Sequence, residues 1–219
     1  MSEVRHKGLL VVFEGIDGTG KSTHARLLED HLREIGLDVI RSREPTQGPH
    51  GRALRESARR GRRPPQEELE LFLADRRQHV AEVLRPALDA DKVVLVDRYY
   101  LSTAAYQGAR GLDPEEILII NESFAPIPDL AVLIEVPVDE GRRRIQHRGD
   151  GDGDLFEREE ELQRVAAVFA SLHRPYIVRL RSDQPVENLQ RAIRECVESH
   201  PRFRSLLARA RPGNSRHER

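Results

Sequence analysis

Eight consecutive residues, Gly15-Ile16-Asp17-Gly18-Thr19-Gly20-Lys21-Ser22, carry glycines, a lysine and a hydroxyl at spacings suited to binding phosphate. Glycines let successive backbone N–H groups turn inward onto phosphate oxygens, and a helix beginning here adds partial positive charge. Lys21 offers a compact cation for β- and γ-phosphates, which a planar guanidinium would not mimic. The Ser22 hydroxyl suits Mg²⁺. The run fits the G-x-x-x-x-G-K-[ST] loop of nucleotide-using proteins in full, and Thr23 continues it. Lys21 is one of only three lysines, with Lys7 and Lys92, in a chain whose basic charge is otherwise arginine, so lysine abundance does not explain its position.

A second acidic element fits the same chemistry. Val93-Val94-Leu95-Val96-Asp97 reads as a buried strand ending in a carboxylate. Ligands of open α/β sheets collect at such ends, so Asp97 is a candidate to hold Mg²⁺ directly or through water. A GTPase would need a guanine-reading Asn-Lys-x-Asp segment, and none is present. At 219 residues the chain is short for a larger ATPase module. A small ATP-using kinase fits best; a kinase for another or several nucleoside monophosphates and a non-catalytic nucleotide-binding protein stay open.

The specific motifs follow in order: Phe13-Glu14 before the glycine loop, Arg43-Glu44-Pro45-Thr46, Leu71-Phe72-Leu73-Ala74-Asp75-Arg76, and Asp97-Arg98-Tyr99-Tyr100-Leu101-Ser102-Thr103-Ala104-Ala105-Tyr106-Gln107-Gly108. With these the chain resembles bacterial thymidylate kinases along nearly its whole length. The resemblance implies transfer of phosphate from Mg·ATP to dTMP, a cytoplasmic homodimer, and no nucleic-acid or membrane partner. It implies that Phe72 stacks on the base and that Arg76, one helical turn on, donates to a base carbonyl. Thr103 would bond the pyrimidine ring edge, Tyr106 would crowd the sugar's 2′ position, and Gln107 would be a further substrate-binding residue. Asp17 would meet the 3′-hydroxyl, while Arg43 and Arg98 would hold the acceptor phosphate. Core packing for Phe72, and an ion pair with Glu44 for Arg43, are the plainer readings.

Similar proteins fall into two classes, one with an arginine at the position of Gly18 and one that supplies arginines from a lid. Gly18 puts this chain in the second, so the expected catalytic cations are Lys21, Arg98, Arg144 and Arg148. The sequence departs from the family at Asp154-Leu155-Phe156-Glu157, where an arginine commonly replaces Leu155, and the preceding loop is acidic. Arg158 is a candidate substitute.

These groups need strands that end at them and helices that begin there. Gly8–Glu14 reads as a buried strand and Lys21–Gly36 as a helix, followed by a strand over 37–42. Gln66–Ala90 reads as a long amphipathic helix that Pro86 kinks. Further strands are expected at 93–97, 129–136 and 176–180, and helices at 114–124, 139–147, 157–172 and 186–198. This alternation predicts an α/β P-loop kinase fold, a mainly parallel five-stranded sheet flanked by helices, spanning residues 1–200 with a flexible lid at about 142–158. Residues 201–219, with six arginines against one glutamate, are expected to be a flexible basic tail.

Composition bounds the rest. A net charge of −1 gives no global attraction to nucleic acid or anionic lipid. Apolar runs reach four to six residues, far from the roughly 20 that span a bilayer, and no signal-peptide core forms before Gly15. A single cysteine, Cys196, forms no internal disulfide and suits a reducing compartment.

Overall fold

Alternate residues of one strand face two different cores, and this organises the whole molecule. In β1 (Leu9–Glu14), Leu10 and Val12 join one apolar cluster while Leu9, Val11 and Phe13 join another. The same split recurs in β3 (Val93–Asp97) and β4 (Leu130–Glu135), as period-2 side-chain alternation requires when both faces are covered. A computed structural model describes residues 6–147 and 155–210. With β2 (Val39–Arg43) and β5 (Ile177–Arg181), these strands form a five-stranded sheet in the order β2-β3-β1-β4-β5. Every pairing is parallel, so the sheet is wholly rather than mainly parallel.

One face is covered by α1 (Lys21–Glu34), through Ala25, Leu28 and Leu32, and by α9 (Val186–Ser199), through Leu189, Ile193 and Val197. Helix α10 (Pro201–Ala210) completes this face with buried Phe203 and Leu206. Residues 201–210 are therefore not a tail. Arg202 pairs with Asp129 at 2.9 Å, and Asp129 also accepts from the Leu10 N–H at 2.8 Å, so this helix is fastened to β1. Residues 211–219 lie outside the described residues, as do Arg148 and the core of the expected lid loop.

The opposite face carries α3 (Pro65–His79), α4 (Arg85–Asp89), α5 (Tyr100–Gly108), α6 (Pro114–Glu122) and α8 (Leu155–Ser171), and α2 (Pro49–Arg60) packs against α3. Helix α7 (Val138–His147) follows β4. The expected kink at Pro86 takes another form: Val80–Leu84 widens into a π turn, with the Arg85 N–H reaching back to Val80 O. Proline has no N–H to give, and the widened turn joins α3 to α4 without a break. Three helices, α2, α5 and α10, have no counterpart among the elements expected from the sequence.

Candidate active site

The glycine loop lies between the C-terminal end of β1 and the start of α1. Gly15 has φ +133°, and a Cβ there would sit 2.3 Å from Ile134 O. Gly18, at φ +85°, would place a Cβ 2.3 Å from Gly141 O at the first turns of α7. Both positions thus exclude a side chain for conformational and steric reasons together. Lys21 turns back into the loop and donates to Ile16 O at 2.7 Å, and Thr19 Oγ1 donates to the same carbonyl at 3.1 Å. Ser22 Oγ donates to Asp97 Oδ2, bringing together the two residues expected to hold metal. Thr23 is exposed beside them on the first turn of α1.

Beside the loop opens a cleft of about 330 Å³. Asp17, Phe72, Arg76, Arg98, Thr103 and Tyr106, six of the residues expected to bind substrate, all line it. Phe72 is half-buried and belongs to neither apolar core, so it is a wall residue and not a packing residue. Arg76 forms the floor and is only 1% exposed. Its Nε and Nη2 donate to Glu44 Oε2 at 2.9 and 2.5 Å, Nη2 to Thr103 Oγ1 at 3.0 Å, and Nη1 to Asn121 Oδ1 at 2.6 Å. A guanidinium has five N–H groups; four are engaged here, and the one left belongs to Nη1.

At the mouth, Arg98 Nη2 donates to Asp17 Oδ1 at 2.6 Å, and Tyr106 OH donates to Asp17 Oδ2 at 3.2 Å. The guanidinium carbon of Arg98 also lies 5.1 Å from the Tyr106 ring centroid.

Comparison with known proteins decides the family. The thymidylate kinase family pattern matches residues 13–193. The thymidylate kinase of Desulfotalea psychrophila is 54% identical over 188 residues, covering 85% of this chain and 92% of its own. That of Akkermansia muciniphila is 50% identical over 191 residues (87% and 92%), and that of Xanthomonas campestris 46% over 173 (79% and 75%). The chain belongs to the thymidylate kinase family.

Three residues that the family resemblance singled out stand apart from the cleft. Arg43 lines a neighbouring groove with Ser22 and Asp97, and its side chain makes no hydrogen bond or ion pair with a described residue. Its plainer reading fails, because Glu44 turns inward to Arg76 and His79. Gln107 is fully buried behind the wall and donates to Glu68 Oε2 at 3.0 Å, so it does not face the cleft. Arg144 donates to Glu140 Oε1 at 2.9 Å and to Ser182 Oγ and O at 3.1 and 2.9 Å. Those bonds fasten α7 to the turn after β5, and the structure does not bring Arg144 to Asp17 and Arg98. Arg148 lies outside the described residues, as do the side chains at Leu155 and Arg158.

In this thymidylate kinase family site the charges shift one another. The Arg98 guanidinium, with help from Lys21, holds Asp17 down to about 2 despite its desolvation. Burial pushes Lys21 down to about 7, aided by repulsion from Arg98. Burial raises Tyr106 to about 12, so its hydroxyl stays protonated. For Glu44, burial alone would raise the pKa, but Arg76 and His79 more than offset it and the group stays ionised.

Sequence reasoning missed several members of the site. Leu54, Arg55 and Ala58 reach the cleft from α2, and Arg62 and Glu68 from the following turn and α3. Glu14 lies inside a motif with no role expected of it, and Glu44 is expected only as a partner of Arg43, not of Arg76 and His79. Pro49 at the first turn of α2 and Gly61, left-handed at its end, were the available signals for that helix.

Proposed function

We propose that this chain phosphorylates dTMP to dTDP with Mg·ATP as donor. The observation carrying the reading is the convergence of Phe72, Arg76, Thr103, Tyr106, Asp17 and Arg98 on one cleft beside the glycine loop. Phe72 offers a ring face for a base, and the free Nη1 hydrogen of Arg76 offers one donor to a base carbonyl. Asp17 accepts hydrogen bonds at the sugar end. Arg98 and the unpaired Arg43 flank Asp97 and hold the acceptor phosphate; Lys21 holds the donor phosphates, with the backbone N–H groups of residues 15–20 around it.

The two oxygens of Ser22 and Asp97 meet at the C-terminal ends of β1 and β3, which fits a hard cation that takes one or two protein ligands and completes its shell with phosphate and water. Ser22 and Asp97 would hold Mg²⁺, which would supply neutralisation of the charge developing on the transferred phosphoryl group. The remaining work is positioning: the protein aligns acceptor and donor, and no covalent intermediate is needed. A lid over about 142–158 that carries Arg148 supplies the remaining cation and excludes water; a phosphate contact from Arg144 would require it to leave Ser182.

We further propose a homodimer, supported by exposed Ile119, Ile120 and Ile127 on and after α6. A cytoplasmic setting accords with the absence, among the described residues, of a helix long and apolar enough to cross a membrane. A coupled assay of ADP release with dTMP, dUMP, dCMP, dAMP and dGMP tests the function: dTMP should be preferred. Binding of dTMP and ATP without turnover would instead mark a nucleotide-binding relative that lacks catalysis. Light scattering across a concentration series tests the dimer.

A further inference from the structure

Arg98 carries φ +67°, in the left-handed region that an arginine occupies only when its surroundings hold it there. What holds it is specific. Its own N–H donates to Phe13 O at 2.9 Å, and the N–H of the next residue, Tyr99, donates to Glu14 Oε1 at 2.9 Å. Glu14 Oε2 accepts from the Ser102 hydroxyl. Ser102 Oγ in turn accepts from Arg98 Nη1 at 3.1 Å. Burial pushes the Glu14 carboxyl up against the opposing pull of Ser102 and Arg98, but both its oxygens accept here, from the Tyr99 N–H and the Ser102 hydroxyl, which fixes where the Ser102 proton points and turns a lone pair of that hydroxyl toward the guanidinium.

Glu14 is 0% exposed, and the residue after it, Gly15, opens the phosphate loop. The Gly15 carbonyl also accepts from Arg98 Nη1, at 3.4 Å. One buried carboxylate therefore reaches Arg98 by two routes, through the backbone at Tyr99 and through the side chain at Ser102, and its own backbone leads into the donor-phosphate cradle. A carboxylate that only filled space between β1 and α5 would need no connection to the strained residue. We infer that Glu14 is a positioning residue for the phosphoryl-transfer site, holding the Arg98 guanidinium at the cleft mouth in register with the glycine loop. This rests on the acceptor-phosphate reading of Arg98.

Glu14→Gln keeps the size but puts an amide NH₂ where one of two accepting oxygens stood, so either Tyr99 or Ser102 faces a donor. Misplacement by about 1 Å can cost as much as about 10²-fold, so kcat should fall by roughly tenfold to a hundredfold, with the KM for ATP nearly unchanged. Ser102→Ala cuts only the side-chain route and should give a smaller fall. The deciding measurement is a double-mutant cycle with Arg98→Ala. If Glu14 acts through Arg98, adding Glu14→Gln or Ser102→Ala to Arg98→Ala should cost less than about twofold more. Equal losses with and without Arg98 would overturn the inference while leaving the acceptor-site reading intact. A silent Arg98→Ala would remove that reading and this inference with it. Should Glu14→Gln fail to fold, Ser102→Ala carries the same cycle, and additivity there also refutes it. A crystal structure of a slowed Glu14→Gln enzyme should show the guanidinium moved from Asp17; an unmoved one counts against the proposal.

Discussion

The Ser22 hydroxyl donates to Asp97 Oδ2, joining the first turn of α1 to the end of β3 across the floor of the phosphate site. If this pair accepts Mg²⁺ when nucleotide binds, Asp97→Asn should weaken the metal's hold without unfolding the protein, since the bond is replaceable by an amide. We expect the Mg²⁺ concentration for half-maximal turnover to rise by about 10–100-fold. Activity titrated against Mg²⁺ at saturating ATP and dTMP reads this directly; an unchanged midpoint would remove Asp97 from the metal site.

Lys21 sits near a pKa of about 7 in the ligand-free protein. Phosphate oxygens will favour its ammonium form and raise that value. Between pH 7 and the ordinary lysine range, the free protein is then largely deprotonated and the complex protonated. ATP binding should therefore take up protons at pH 8, and affinity should fall with rising pH by at most about tenfold per pH unit. Calorimetry in two buffers of different ionisation enthalpy measures the uptake, which Lys21→Ala should abolish. That variant should also lose about 2.7–4 kcal/mol of transition-state stabilisation.

Phe72 lines the cleft but packs in neither core. Phe72→Ala should weaken dTMP binding by about 1–3 kcal/mol and leave ATP affinity and the thermal midpoint close to wild type. Separate titrations of the two nucleotides decide it, and a large loss of stability at unchanged dTMP affinity would return Phe72 to a packing role.

Glu44 is the acceptor for both Arg76 and His79, whose Nδ1–H donates to Oε1 at 2.9 Å. Replacing one partner of a buried ion pair typically costs about 3–5 kcal/mol, so Glu44→Ala should be strongly destabilised. Glu44 has a folded pKa below its ordinary value, so its contribution is present above that value and is lost as pH falls through the folded one. Urea midpoints of wild type and Glu44→Gln should differ widely at pH 7 and converge in acid. A gap independent of pH would mean that packing, and not charge, explains the loss.

Strands and the helices with broad apolar faces were legible because burial leaves a period in the sequence: Leu28 and Leu32 in α1, Leu189, Ile193 and Val197 in α9. Helix α2 left little trace, since Leu54 is its single buried large apolar residue. Helix α5 hid for the opposite reason. Tyr100 to Ala105 are all buried, so no polar face exists to mark a period. Helix α10 was masked by arginines around just two buried residues, Phe203 and Leu206. Within the site, motif order located the cleft residues but could not separate wall from backing, as Gln107 shows: its facing partner, Glu68, lies 39 positions away. The engagement of Arg144 by Ser182 was invisible for the same reason.

The close approach of Gly18 to Gly141 has an evolutionary reading. A side chain at 18 needs the start of α7 to withdraw, because its Cβ would meet Gly141 O at 2.3 Å, whereas a Cβ at 141 would come within 3.1 Å of Asp17 O and ask for a shift of only a few tenths of an ångström. An arginine at position 18, one of the two arrangements that the family resemblance implies, is thus opposed here by backbone clearance as well as by the left-handed φ of Gly18. A lineage could not cross between them by one substitution at position 18. The start of α7 would have to shift first, and an intermediate with that shift would have neither the old contact nor the new cation, a valley that tends to keep descendants on the side where they began.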